Sequence, residues 1–100
     1  MRIGIIGGLS RANPHYARVA LEEGHQLDLH DGKIGGRGAE SLEQLVLRCD
    51  LVILITDVNS HGAVQLARKR MRETRREPLI VRRCGLSRFA AICREGRDVA

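Results

Sequence analysis

The most apolar stretch of the chain is LVILI, over residues 51–55, and it limits the possible folds more than any other feature. Its side chains do not alternate between apolar and polar, as those of a strand with one solvated face would. A strand of this kind belongs in the middle of a parallel sheet that is covered on both faces. The polar segment TDVNSHG follows at once, so the strand is expected to leave the sheet abruptly.

Three other segments also have the composition of strands, and a helical pattern follows each of the four. Strands are predicted over residues 2–7, 25–30, 51–55 and 78–82. The second strand alternates apolar and polar residues, which is typical of a half-buried edge strand. We expect the first helix to start with Asn13 as N-cap and Pro14 as its first residue, and to stop at Gly24.

The other three helices are predicted from apolar stripes with a spacing of three and four residues. Ser41 and Gln44 have the spacing of a capping box at the start of the second helix. Ser60 precedes the third helix, and the fourth ends near Gly96. The stripes consist of Leu42, Leu45, Val46 and Cys49; of Ala63, Val64, Ala67 and Met71; and of Leu86, Phe89, Ala90 and Cys93.

Alternating strands and helices joined by right-handed crossovers predict an α/β fold of three layers. We expect a small Rossmann-like domain over residues 1–100, with a four-stranded parallel sheet in the order 2-1-3-4 and helices on both faces. Apolar residues make up 43% of the chain and aromatic residues only 2%, so the core is expected to be aliphatic. No apolar run approaches the roughly 18 residues of a membrane span, and the three cysteines show no metal or disulfide spacing. These features predict a cytoplasmic protein with reduced thiols.

Ligands of such sheets bind where the strands end, because each crossover helix begins there. Four side chains at this edge form a candidate metal site: His30, Asp31, Asp57 and His61. Two imidazoles and a carboxylate suit Fe(II), zinc or manganese. The alternative is purely structural: Ser60 or Asn59 caps a helix, Asp57 accepts loop amides and His61 is simply exposed.

A second candidate at the same edge is an anion site. Gly7, Gly8 and Arg11 offer backbone amides and a guanidinium group to a phosphate or carboxylate. The glycines do not follow the dinucleotide-binding or phosphate-loop patterns. Further side chains predicted to line this crevice are His15, Tyr16, Ser60 and Arg82.

The net charge of +5 is concentrated in residues 65–83, which hold eight basic and two acidic residues. A local basic patch is a candidate surface for nucleic acid or another polyanion. Lys69 and Glu73 are spaced for an ion pair within one helix, and no stacking aromatic accompanies the patch. A solvated helix face is therefore the simpler interpretation.

Four short motifs occur in order along the chain. They are GIIGG followed by Arg and His-Tyr near the start, HDG after the second strand, Asp and Ser-His after the third, and Pro, Arg, Leu and Phe towards the end. This pattern resembles a family of small bacterial proteins, domain of unknown function 2325. The resemblance extends over residues 2–93 and implies a compact Rossmann-like protein without an agreed activity. The resemblance implies that many relatives carry a cysteine at the position of Val58, another near Met71, and serines at positions 83–85. These departures argue against a role of this chain in which thiols or hydroxyls at those places are essential. The positions that the resemblance marks are Gly7, Gly8, Arg11, His15, Tyr16, His30, Asp31, Gly32, Asp57, Ser60, His61 and Arg82.

The sequence therefore supports two hypotheses of different classes. The first is a binding protein, expected to be a homodimer, that holds a metal ion such as iron or an iron-bearing cofactor for sensing, carrying or small-ligand binding. The second is a regulatory module that binds nucleic acid or an anionic metabolite through the arginine-rich third helix and the loop over residues 7–11. No nucleophile or acid/base pair stands out, so catalysis stays an open question.

Overall fold

The protein alternates strands and helices along its whole described length. The structure is a computed structural model, and it describes residues 1–8 and 13–96. The elements in chain order are β1 (Arg2–Ile6), α1 (Asn13–Glu22), β2 (Gln26–His30), α2 (Gly38–Arg48), β3 (Leu51–Ile55), α3 (His61–Glu73), β4 (Leu79–Val81) and α4 (Leu86–Glu95). None of the described helices is long and apolar enough to cross a membrane.

The four strands form one parallel sheet in the order β2-β1-β3-β4, which confirms the predicted topology. Ile5 of β1 lies opposite Leu29 of β2 and Ile53 of β3, and Leu54 lies opposite Ile80 of β4. The strand order reverses between β1 and β3. In a parallel sheet this is the place where loops from both sides part and leave a crevice at the carboxyl ends of the strands.

Helices cover both faces of the sheet, and β3 contributes to the core on each face. Ile53 and Ile55 pack with Phe89 and Ile92 of α4 and with residues of α1. On the other face, Val52 and Leu54 pack with residues of α2 and α3 such as Leu42 and Ala67. The absence of alternation in LVILI is thus explained, because successive side chains enter two different apolar layers.

The start of α2 differs from its prediction. The helix begins at Gly38, whereas the capping-box interpretation placed its start at Ser41. A tight turn leads into it, with the Gly38 amide bonded to Gly35 O at 3.0 Å, and a Cβ at position 38 would lie 2.0 Å from Lys33 O. The close approach of this loop to itself brings the chain into the helix before the serine, so Ser41 lies within the first turns.

Asp28 fastens the edge strand β2 to its neighbours. Its Oδ2 accepts hydrogen bonds from Arg48 Nε at 2.8 Å and Arg2 Nη1 at 3.2 Å, and the thiol of Cys49 lies 3.4 Å away. Burial alone would raise the pKa of Asp28, but the hydrogen bonds from Arg48, Cys49 and Arg2 outweigh it, and the pKa is lowered. One carboxylate therefore links β2 to β1 and to the end of α2.

All three cysteines are buried, as the apolar stripes predicted for Cys49 and Cys93. Burial, together with the neighbouring Asp28 carboxylate, raises the pKa of the Cys49 thiol to about 12. Burial is also the main reason that the pKa of Cys93 rises to about 11. Both thiols are protonated at neutral pH and are poor nucleophiles.

The network around Asp28 makes the stability of the fold sensitive to acid. A carboxylate with a lowered pKa in the folded state stabilises that state above its unfolded pKa of about 3.9, and the contribution is lost as the pH falls through the folded value. We expect Asp28→Asn to lower the free energy of unfolding by about 1–3 kcal/mol at pH 7. The difference from the unmodified protein should shrink as the pH falls below about 4.

Urea unfolding followed by circular dichroism at several pH values measures this difference. Glu22→Gln is the matched control, because Glu22 is exposed on α1 and makes no ion pair within the described residues. A loss of stability that is the same at pH 3 and pH 7 would contradict the role assigned to the Asp28 carboxylate.

Candidate functional site

Asn59 holds the loops together at the carboxyl edge of the sheet. Its Nδ2 donates to Ile55 O at 2.7 Å and to Ile6 O at 3.3 Å, the last residues of β3 and β1. Its Oδ1 accepts from the amide of Ser60 at 2.8 Å. One amide side chain therefore satisfies backbone groups of two central strands and of the start of α3.

Two glycines are required by the position of Asn59. Gly7 has φ +94°, and a Cβ there would lie 2.6 Å from Asn59 Nδ2. Gly32 has φ +87°, and its Cβ would lie 2.1 Å from Asn59 Oδ1. Only glycine combines this left-handed backbone with so close an approach. The glycine predictions at these two positions thus have a structural cause that lies in the loop after β3.

Ser60 caps α3 and also binds the loop after β2. Its Oγ accepts from the Ala63 amide at 3.1 Å, as the sequence predicted for an N-cap. The same hydroxyl donates to Gly32 O. Backbone bonds complete the assembly, because the Gly7 amide donates to His30 O at 2.8 Å and the Gly8 amide donates to Val58 O at 2.7 Å.

Two pockets lie on this rigid edge, and Gly8 lines both of them. The first, which we call the α2 pocket, has a volume of about 580 Å³ and lies beside the start of α2. It is lined by Gly7, Gly8, Leu29, His30, Asp31, Lys33, Gly35, Gly38 and Ser41. The second, the α4 pocket, has a volume of about 430 Å³. It is lined by Gly8, Tyr16, Ile55, Asp57, Val58, Arg83, Cys84 and Gly85.

His30 lines the α2 pocket, but both of its ring nitrogens have backbone partners. Its Nδ1 accepts from the Gly32 amide at 3.0 Å, and its Nε2 lies 2.8 Å from Gly38 O. A carbonyl can only accept, so Nε2 is the donor in this hydrogen bond. The imidazole thereby connects the end of β2 to the start of α2. Its side chain is only 7% exposed.

The other three predicted metal ligands, Asp31, Asp57 and His61, each have different surroundings. Asp31 Oδ1 accepts from the Lys33 amide at 2.9 Å and lies 3.9 Å from His30 Nδ1. Asp57 Oδ2 accepts from Arg83 Nε at 2.7 Å, while Arg82 Nε lies 3.8 Å from Oδ1. His61 is exposed at the first position of α3. Within residues 1–8 and 13–96, no three His, Cys, Asp or Glu side chains are grouped so that they could hold a metal ion.

Tyr16 has a role in packing as well as in lining the α4 pocket. Its hydroxyl donates to Cys84 O, and its ring meets Phe89 edge to face with centroids 5.2 Å apart. Burial, and to a lesser degree the neighbouring Cys84, raises the pKa of Tyr16, so the phenol is neutral at physiological pH. His15 is exposed, with its Nδ1 3.1 Å from Arg18 Nη2. Arg11 lies outside the described residues.

The basic region after β3 is divided between structural and exposed arginines. Arg76 donates to Val46 O at 2.8 Å and to Asp50 O at 3.2 Å, and it also contacts Cys49 O. It therefore caps the end of α2, where carbonyls lack helical partners. Arg70 pairs with Glu43 and Glu73. Arg70 and Arg76 are therefore engaged within the protein, and only the other basic side chains of the predicted polyanion surface are left to contact a ligand.

Several residues that line the two pockets were not predicted from the sequence to belong to a binding site. Lys33, Gly35, Gly38 and Ser41 belong to the segment predicted as a loop and helix start, and they enter the α2 pocket because α2 begins early. Arg83 was expected from the sequence in the loop after β4, at the same edge as Asp57, but no binding role was assigned to it. Its hydrogen bond to Asp57 became apparent only in the structure.

The position of Asn59 predicts a large effect of its removal. Asn59→Ala leaves the carbonyls of Ile6 and Ile55 without this partner, and we expect the free energy of unfolding to fall by about 2–3 kcal/mol. Thermal unfolding followed by circular dichroism measures the loss. Val58→Ala is the control, because Val58 is 42% exposed and should change stability by no more than about 0.5 kcal/mol. Equal stability of the two variants would contradict the bridging role of Asn59.

Comparison with known proteins places the chain in a family but gives it no activity. A family model described as an uncharacterized protein conserved in bacteria, DUF2325, matches residues 2–95. No curated protein and no solved structure matches the chain. Because the match extends over nearly the whole sequence and includes every element of the sheet and its helices, the chain belongs to this family of uncharacterized bacterial proteins.

Proposed function

We propose that this protein binds a small anionic metabolite, one that carries a phosphate or carboxylate group, at the carboxyl edge of its sheet. The observation that carries the proposal is that each pocket lies against the start of a helix that no side chain caps. Arg37 precedes α2 and Gly85 precedes α4, and neither supplies a capping hydrogen bond. Amides in the first turn of a helix lack intrahelical acceptors and attract anions.

Charged side chains beside the two helix starts support the same interpretation. Lys33 lines the α2 pocket and Arg83 lines the α4 pocket. Each pocket also contains one carboxylate, Asp31 or Asp57. A cation, a helix start without a capping side chain and a carboxylate together favour a ligand that has hydroxyl or amino donors in addition to its anionic group.

The size and position of the pockets agree with a metabolite of modest size. Their volumes of about 580 Å³ and 430 Å³ are in the range of small-molecule sites. Gly8 lies between them, so a ligand with two polar ends has room to extend from one pocket into the other. An anion in the α4 pocket would compete with Asp57 for the guanidinium of Arg83. Asp57 would then lack this partner, so the site favours ligands that can donate a hydrogen bond to its carboxylate.

Gly85→Asp tests the proposal without weakening the fold. Gly85 has φ −71° and ψ 167°, and a Cβ there meets no atom within 4 Å, so aspartate fits without strain. Its carboxylate would cap α4 and stabilise the protein by a few tenths of a kcal/mol. It would also occupy the place of an anion, and we expect anion binding in the α4 pocket to be lost.

Gly35→Leu is the corresponding change for the α2 pocket. A Cβ at Gly35 meets no atom within 4 Å, and the backbone there is not left-handed, so the leucine side chain can fill the pocket. Amide chemical shifts of Gly8, Gly38 and Leu86 are measured while inorganic phosphate, AMP or citrate is added. Lys69→Glu is the control, since this exposed lysine lines neither pocket.

The results show which pocket binds the anion and whether the proposal holds. If the anion no longer changes the amide chemical shifts in Gly85→Asp or in Gly35→Leu, but still changes them in Lys69→Glu, the anion binds in the corresponding pocket. Chemical-shift changes that persist in both glycine variants, or that disappear only in Lys69→Glu, would overturn the proposal.

A metal ion, iron included, is the second proposal for this edge. The 3.9 Å approach of His30 Nδ1 to Asp31 Oδ1 supports it. Against it, Nδ1 already accepts the Gly32 amide, and that hydrogen bond would have to break before the ring could bind a metal. The ligands as they stand do not fit a metal site, so we assign no chemistry to one.

Elemental analysis of protein purified without a histidine tag tests the metal proposal. It requires about one equivalent of metal, and loss of that metal in Asp31→Asn and in His61→Ala. Tyr16→Phe is a control that keeps both carboxylates and both imidazoles. A metal content that is far below one equivalent, or that neither ligand variant changes, would remove the proposal.

A further inference from the structure

The edge strand β4 forms one side of a groove that shares no residue with the two pockets. The groove lies between β4 and α3 and has a volume of about 240 Å³. We call it the β4 groove; it is lined by Arg68, Arg72, Arg76, Glu77, Pro78 and Ile80. None of the described strands pairs with the outer side of β4.

The floor of the β4 groove is apolar. Leu79 and Val81 turn toward the core shared with α1 and α4, whereas Ile80 points to the other face and is 47% exposed. Val81 O accepts from the Thr56 amide of the β3 side. Because polar groups of successive residues in a strand point in opposite directions, the amide and carbonyl of Ile80 face the open edge.

The wall of the groove is basic. Arg68 and Arg72 lie one helical turn apart on α3, both exposed, and neither forms an ion pair with the described part of the chain. Arg76 adds a third guanidinium group, which is fixed on the carbonyls of Val46 and Asp50. Among the described residues that line the groove, Glu77 is the one acidic residue.

We propose that the β4 groove binds an extended acidic segment of another protein, which adds to the sheet as a fifth strand. The segment would pair with the free backbone groups at Ile80 and cover its side chain. Alternate side chains of a strand are about 6.6 Å apart, and Arg68 and Arg72 are separated by about 6 Å along the helix axis. Acidic residues at two alternate positions of the segment therefore match the two arginines.

Charge and shape favour this occupant over a nucleic acid or a second copy of the chain. The two aromatic residues, Tyr16 and Phe89, pack against each other on the opposite face of the sheet, so the groove offers no ring for base stacking. Two copies joined through β4 would bring like-charged arginines together.

The probe is a fluorescent octapeptide of alternating glutamate and valine, and its anisotropy is measured with the full-length protein at low salt. We expect Arg68→Glu combined with Arg72→Glu to weaken binding by about tenfold or more. Lys69→Glu is the control, because it reverses one charge on the same helix outside the groove, which is half the charge change of the double variant. Its effect should be less than about threefold. Circular dichroism checks that each variant is folded.

Strand addition is separated from simple charge attraction by a second peptide. Methylation of alternate backbone nitrogens keeps the charge but removes the amide donors that a strand needs. We expect binding of this peptide to be about tenfold weaker or lost. Equal binding of the two peptides, or equal effects of the Arg68/Arg72 and Lys69 variants, would overturn the proposal.

The alternative occupants are tested in the same assay. A DNA duplex or single strand that binds more tightly than the peptide, with the same dependence on Arg68 and Arg72, would overturn the proposal in favour of nucleic acid. Sedimentation of the protein alone that shows a dimer abolished by Ile80→Lys would assign the groove to a second copy. Anion binding at the two pockets should be unchanged in the Arg68/Arg72 variant, so failure of one proposal leaves the other standing.

Discussion

The hydrogen bonds of Asn59 are the contacts on which the carboxyl edge of the sheet depends. The side chain joins the last carbonyls of β1 and β3 and holds the amide that opens α3. Its bulk requires glycine at positions 7 and 32. Gly7 lines the α2 pocket, and the carbonyl of Gly32 accepts from Ser60 at the start of α3. One amide side chain thus joins backbone groups at the edge where both pockets lie. A site with a pre-formed backbone is what recognition of a small anion needs.

Several residues whose types suggest chemistry are used to hold the fold. His30 connects β2 to the start of α2 through both ring nitrogens. Arg76 closes the end of α2, and Asp28 joins two arginines and a thiol at the edge of the sheet. Each buried polar group would be costly without partners, and the neighbouring backbone and charges supply them. The groups left over for a ligand are accordingly backbone amides and exposed cations.

The two proposed binding surfaces differ in the backbone groups that they offer to a ligand. At the pockets, the starts of α2 and α4 lack capping side chains. At β4, the strand lacks a neighbour on its outer side within the described residues. Helix starts favour small anions because the amides converge on a point, whereas a strand edge favours an extended chain because its groups form a row. The two surfaces therefore suit ligands of different shape, and a single protein can have both.

The sequence by itself determined the layers, the strand order, the central place of β3 and the cap at Ser60. These features depend on the period of apolar residues and on turn residues close in the chain, both of which are local properties. Only the tertiary structure decided that Asn59 bridges two strands and that Arg76 closes the end of α2. Asn59 and Ile6 are 53 residues apart, and Arg76 and Cys49 are 27 apart. Partners at such separations are chosen by packing of the whole chain, which no local pattern records.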